Sequence, residues 1–160
     1  MTPEQEIGMT ITRRSMMMLA TAGAAATLMP RAAGAQTSGP QMDVARSATC
    51  GCCGAWVAHV RSAGFVVRET VREDLDVVKA ELGVPSDLQS CHTATIDGFV
   101  IEGHVPAAEI RRLLAQRPVA IGLAVAGMPA GSPGMEVAGL KDAYEVVLFG
   151  NAGREVFARY

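Results

Sequence analysis

Met42-Asp43-Val44-Ala45-Arg46-Ser47-Ala48-Thr49-Cys50-Gly51-Cys52-Cys53-Gly54-Ala55-Trp56-Val57 carries three of the chain's four cysteines across a change of period. Met42 to Ser47 alternates as a strand does. From Cys53 to Ala63 the apolar residues Trp56, Val57 and Val60 recur at helical spacing, and Gly64 stops the run. The thiols therefore stand where a strand turns into a helix. The fourth, Cys91, adjoins a histidine in Ser90-Cys91-His92-Thr93. A stapled framework would spread its cysteines to close long loops, whereas a bridge between near neighbours closes almost nothing and stabilises little. The concentration of sulfur marks a site.

Outward from that stretch, Phe65 to Val71 reads as a second strand, and Leu75 to Leu82 as a short helix ended by Gly83 and Pro85. Pro85 to Ser90 is a loop that delivers Cys91. Thr93 to Ile96 and Phe99 to Glu102 flank Asp97-Gly98, a favoured two-residue hairpin turn. A further helix follows, with Pro106 in its first turn, Ile110, Leu113 and Leu114 on one face, Arg111, Arg112 and Gln116 on the other, and Pro118 closing it. Residues 122 to 139 read as a loop rich in Gly, Pro and Met. Tyr144 to Phe149 and Glu155 to Arg159, joined through Asn151-Ala152-Gly153, form a C-terminal β-hairpin that extends or covers the sheet. The order β-α-β-α-β-β-α, with cysteines between the first strand and first helix, is that of an α/β, thioredoxin-like domain: a mixed sheet flanked by helices. In such a fold the loop before the third strand packs against the first helix start, so Cys91 converges on the other sulfurs. The proline usual before that strand is replaced by Cys91-His92-Thr93, which weakens a dithiol-exchange reading and favours a metal site.

Ahead of the domain, Thr12-Arg13-Arg14-Ser15 opens onto an apolar run from Met16 to Met29, and Ala33-Gly34-Ala35 supplies a small-residue cleavage pattern. Residues 1–35 read as a twin-arginine-type signal peptide, cleaved on export to the periplasm. Its apolar run is shorter than the ~20 residues needed to span a bilayer, and Gly23 and Pro30 interrupt it. Either Met1 or Met9 would serve as the start. Residues 36–41 form a short leader and 42–160 one domain, large enough to bury a core without disulfides. The net charge of −2, with only one Trp, two Tyr and four Phe and no basic cluster, argues against a nucleic-acid partner. No glycine-rich phosphate loop calls for an organic cofactor.

Four motifs carry a family resemblance: Thr49-Cys50-Gly51-Cys52-Cys53-Gly54, Cys91-His92-Thr93-Ala94, Val100-Ile101-Glu102-Gly103-His104-Val105-Pro106, and Gly127-Met128-Pro129 with Gly131-Ser132-Pro133-Gly134-Met135-Glu136. From about Met42 to Tyr160 the chain resembles the CopG-type copper-resistance proteins, a family long catalogued only as a metal-binding domain of unknown function. The resemblance implies a periplasmic thioredoxin-like protein that binds several copper ions through thiolates, here Cys50, Cys52, Cys53 and Cys91. It further implies sequestration or interconversion of Cu(I) and Cu(II), with periplasmic copper chaperones or an efflux system as partners.

The residues support that reading independently. Thiolates are soft donors that favour Cu(I), and a helix N-terminus can depress a cysteine pKa from ~8.5 to between ~3.5 and ~7.5. Cys50 and Cys53, one turn apart, can face one ion, but Cys52 is rotated from Cys53 by about 100°. Diverging sulfurs suit bridging between ions, so a multinuclear Cu(I) cluster closed by Cys91 is expected. His104, at the entrance of the last helix, and the loop thioethers of Met128 and Met135 are second-tier ligands. His92 is expected to point away from Cys91, because neighbouring side chains in extended chain oppose one another, and His59 to lie on the helix surface about two turns beyond Cys52. Zinc is the competing metal, through Cys50, Cys53, Cys91 and His92. The alternative from another class is a thiol-disulfide oxidoreductase with Cys50 as nucleophile and Cys53 as resolving thiol.

Overall fold

A computed structural model describes residues 39–160, and the signal segment assigned to residues 1–35 lies outside them. The elements run β1 (Gln41–Arg46), α1 (Gly51–Ser62), β2 (Val66–Val71), α2 (Leu75–Glu81), a 3-10 turn at Ser86–Leu88, β3 (His92–Ile96), β4 (Phe99–Glu102), α3 (Ala107–Gln116), β5 (Gly122–Ala124), β6 (Glu145–Gly150) and β7 (Gly153–Arg159). They build one seven-stranded mixed sheet in the order β2-β1-β3-β4-β5-β6-β7. Parallel neighbours need a crossover connection; α1 supplies it for β1 and β2, and α3 for β4 and β5. β3 and β4 are antiparallel and need only the Asp97-Gly98 turn, whose positive φ angles of 50° and 87° match the twist of a two-residue hairpin. β6 and β7 extend the sheet at its far edge.

Alternation along the strands sorts the core onto two faces. In β4, Ile101 joins the larger cluster, with Trp56, Val57 and Val60 of α1 and Ile110 and Leu113 of α3, while its neighbour Val100 joins the smaller one with Val84, Leu88 and Phe149. Each such apolar side chain removed from water contributes about 1.5–3 kcal/mol. This burial, to which Cys53 of α1 also contributes, sets the position of α1.

Three local features differ from the expectation. α1 begins at Gly51 rather than Cys53, because apolar spacing registers only the buried positions and its first residues, exposed Gly51 and half-buried Cys52, lie off the core face. Gly122–Ala124, assigned to a loop, is a fully buried strand between β4 and β6. A Cβ at Gly122 would fall on the Val100 carbonyl, so glycine is what lets the two strands meet. Pro106 occupies the N-cap position of α3, one residue ahead of the first turn.

Candidate metal centre

The sulfurs gather at the end of the sheet where β1 leaves and β3 begins. Cys50 is the N-cap of α1, and Cys52 and Cys53 lie in its first turn. Cys53 is fully buried beneath the helix and joined to Cys50 by a disulfide. Cys52 is half-buried and a free thiol, as is Cys91. The Cys52 Sγ lies 3.4 Å from Cys50 Sγ, 3.7 Å from Cys91 Sγ and 4.0 Å from Met128 Sδ. All four cysteine sulfurs fall within 4.8 Å of one another. Both first-turn cysteines reach the second motif, Cys52 at the Cys91 sulfur and Cys53 at the Cys91 carbonyl, 3.6 Å away.

Cys91 sits in a bend one residue before β3, and two imidazoles stand against it. His104 is fully buried; its Nδ1–H donates to the Pro133 carbonyl at 2.8 Å, which leaves the Nε2 lone pair facing Cys91 Sγ at 3.1 Å. Burial holds the His104 pKa below its ordinary value, against the opposing pull of the Pro133 carbonyl and the Glu136 carboxylate. The Cys91 thiol is pushed up to about 11, first by burial and then by the adjacent Cys52 sulfur. The pair is accordingly a neutral thiol donating to a neutral imidazole, not an activated thiolate–imidazolium couple. An imidazole fixed through Nδ1–H to a carbonyl, with its other nitrogen free, has the form in which histidine binds metals.

His92 departs from the expected orientation. Its Nδ1 lies 3.4 Å from Cys91 Sγ, and Cys91, His92 and His104 form a second group with ligand atoms within 4.8 Å. The alternation rule fails because Cys91 belongs to the bend and only His92 to the strand. The His92 ring packs on Trp56 with centroids 4.3 Å apart and meets His104 edge-on at 5.1 Å. Burial first, and then the electrostatic influence of neighbouring His104 and Lys79, lowers its pKa to about 3, so it is neutral at ordinary pH. His59, expected on the surface, is half-buried and accepts a hydrogen bond from the Ala107 N–H at 3.1 Å. It satisfies one of the unpaired donors at the start of α3, where Pro106 has no side-chain oxygen to do so.

The Gly/Pro-rich loop roofs this centre. Gly134 has φ +83°, and a Cβ there would come within 2.6 Å of the Trp56 nitrogen and 2.9 Å of the Cys52 carbonyl. The loop therefore rests directly on the first turns of α1, and that approach brings the Pro133 carbonyl to His104. Met128, 53% exposed, overhangs Cys52. Met135 is half-buried and its main chain closes the Gly131–Met135 and Ser132–Met135 turns; among the described residues no sulfur contact joins its thioether to the cysteines. Ser132 and Pro133 were not singled out as site residues in the sequence, since a carbonyl that orients a histidine carries no residue-type signal.

A family described as "Protein of unknown function, DUF411" matches residues 88–135. No curated protein matches the chain. Two solved structures, named as form 1 and form 2 of the copper resistance protein CopG, are each 48% identical to it, with a TM-score of 0.73. Each match covers 76% of this chain and 98% of the other. The second-motif cysteine, both imidazoles near it, Met128 and the roof lie inside the DUF411 match, whereas the α1 cysteines precede it.

Proposed function

The chain belongs to the family of the copper resistance protein CopG, and from that membership we propose that it is a periplasmic copper-binding protein that holds several Cu(I) ions through Cys50, Cys52, Cys53 and Cys91. The observation that carries this reading is the meeting of four sulfurs from two distant segments within 4.8 Å. Thiolates are soft donors, and four of them this close can be shared between Cu(I) ions, for which soft sulfur ligands are selective. His104, with its free nitrogen on Cys91, and Met128, whose thioether lies over Cys52, are the added donors nearest the sulfurs. Met135 would join only if its loop moved. Copper would arrive from periplasmic chaperones and leave through an efflux system. The twin-arginine stretch supports export, and among the described residues no helix is long and apolar enough to cross a membrane.

The Cys50–Cys53 disulfide favours a redox component. Two of the four sulfurs become thiolate donors only after the bond is cleaved by two electrons, with two protons or two metal ions taking the sulfur charge. Copper interconversion balances in the closing direction, where the Cys50 and Cys53 thiolates give one electron each to two Cu(II), forming the S–S bond and two Cu(I); reopening takes two electrons from an external dithiol, which leaves as its own disulfide. A dithiol oxidoreductase acting on other proteins is the second reading of the same bond.

Anaerobic titration of the reduced, purified protein with Cu(I) against a chromophoric chelator, with Zn(II) in parallel, tests the proposal. More than one tightly held Cu(I) per chain, with the excess lost in Cys91→Ser, is expected. A single preferred Zn(II) would make the centre a zinc site, and weak copper binding with ready disulfide turnover would make the chain an oxidoreductase.

A further inference from the structure

Behind the sulfur centre lies an ion pair with almost no access to water. Lys79 of α2 and Glu102, the last residue of β4, approach to 2.9 Å with side chains 3% and 0% exposed. A buried pair of this kind is expensive to desolvate, and apolar residues of similar volume in its place are often neutral or stabilising. The fold alone therefore gives little reason for it.

What the pair touches gives one. Both charges converge on the main chain of Ser90, the residue before Cys91. The Lys79 ammonium donates to the Ser90 carbonyl, and the Ser90 N–H donates to Glu102 Oε1 at 2.6 Å. The Ser90 hydroxyl donates to the Gly127 carbonyl, which ties the same residue to the Met128 loop. Gly103, at φ +70°, leaves room for this: a Cβ there would meet the Ser90 Cβ at 2.6 Å and the Val125 carbonyl oxygen at 2.5 Å. Ser90 is thus gripped at its N–H, its carbonyl and its side chain from three separate elements.

We infer that the buried Lys79–Glu102 pair positions Cys91, fixing the Ser90 main chain so that the Cys91 sulfur faces Cys52 and His104. The bend at Ser90-Cys91 lies outside any strand ladder, so its direction is not otherwise set by sheet hydrogen bonds. Charged partners make the stronger main-chain hydrogen bonds, which suits holding a loop whose one task is to aim a thiol. Lys79 and Glu102 act through Ser90 and are not ligands. The role deepens the copper reading and rests on it for its purpose, although the positioning itself can be measured without metal.

The test uses the protein with its Cys50–Cys53 disulfide intact, so that Cys52 and Cys91 are the two free thiols and one reports on the other. Lys79→Met/Glu102→Met replaces both charges with apolar groups and should keep a cooperative unfolding transition. Alkylation followed by mass spectrometry should then show Cys91 reacting about tenfold faster than in the wild type, as expected for loss of the main-chain hydrogen bonds that oppose local opening. Cys52 should react at its wild-type rate. Lys79→Met/Glu102→Gln keeps an acceptor for the Ser90 N–H and should fall between the two. After reduction, the Met/Met variant should lose the same Cu(I) as Cys91→Ser, with no further loss when the changes are combined. An unchanged Cys91 rate in folded variants, or equal acceleration of both thiols, would overturn the inference. So would failure of both double variants to fold, which would assign the pair to the fold itself. No copper binding by the wild type, together with the Cys91-selective change in the variants, would sink the copper reading and leave the positioning intact.

Discussion

Among the described residues Cys91 belongs to both groups of side chains that could hold a metal ion, and its proton is the first obstacle to loading either of them. With its pKa pushed up to about 11 from an ordinary 9.0, by burial and by the Cys52 sulfur, it is a thiol at neutral pH. Metal bound there must displace that proton. The apparent Cu(I) affinity should therefore climb about tenfold per pH unit for each thiol proton displaced, since ligation requires the thiolate. Chelator competition repeated across neutral to mildly alkaline pH checks this; a flat profile in the wild type, or an unaltered slope in Cys91→Ser, would remove Cys91 from the ligand set. Linkage gives the metal-free protein the opposite trend. A raised folded-state pKa contributes stability that is present below about 9 and lost as pH rises toward about 11, a step that Cys91→Ala should abolish in alkaline unfolding curves. At this scale the convergence of the sulfurs was legible, because in this element order the loop before the third strand packs against the start of the first helix. His92 was not, because alternation assumes a strand through a residue that proves to be a bend, and His59 was not, because the α3 amide it caps is 48 residues away.

The short β5 and the roof loop are the elements least visible in the sequence and the ones that most shape the centre. Gly122–Ala124 is too short for a periodic signal, and it is a strand only because β4 and β6 supply partners on both sides. Its placement starts the loop at Val125, beside β4, from which Met128 and Pro133 reach α1 and His104. Gly134 is the tightest point of that contact. Gly134→Ala would add a Cβ against the Trp56 nitrogen in a left-handed backbone, at a cost of about 1–3 kcal/mol. We expect a lowered thermal midpoint together with weakened copper retention, as the Pro133 carbonyl withdraws from His104. Ala at Gly139, which also has positive φ but open space around its Cβ position, is the control: it should cost backbone strain with little effect on copper. Equal effects at the two positions would mean that the roof does not shape the site. By contrast α1 and α3 were readable from their apolar spacing, and the Asp97-Gly98 hairpin from its turn residues alone.

Across the whole molecule, sheet and site are assembled by separate means. The two apolar clusters pack the helices on the sheet, while the ends of β1 and β4, the start of β3 and the roof loop converge on the candidate metal centre. Topology was legible because strand-helix alternation leaves few ways to wind a small mixed sheet. The aim of each side chain within the centre was not, because it depends on carbonyls and glycines contributed from far along the chain. The proposed copper site requires that the four sulfurs act together and share the metal. X-ray absorption at the copper edge, on the reduced protein loaded with Cu(I) to capacity, addresses it most directly. We expect a first shell dominated by sulfur together with a short copper–copper vector that disappears in Cys91→Ser. A shell of nitrogen and oxygen, or sulfur ligation with no copper–copper vector at full loading, would show that these cysteines do not form a bridged cluster.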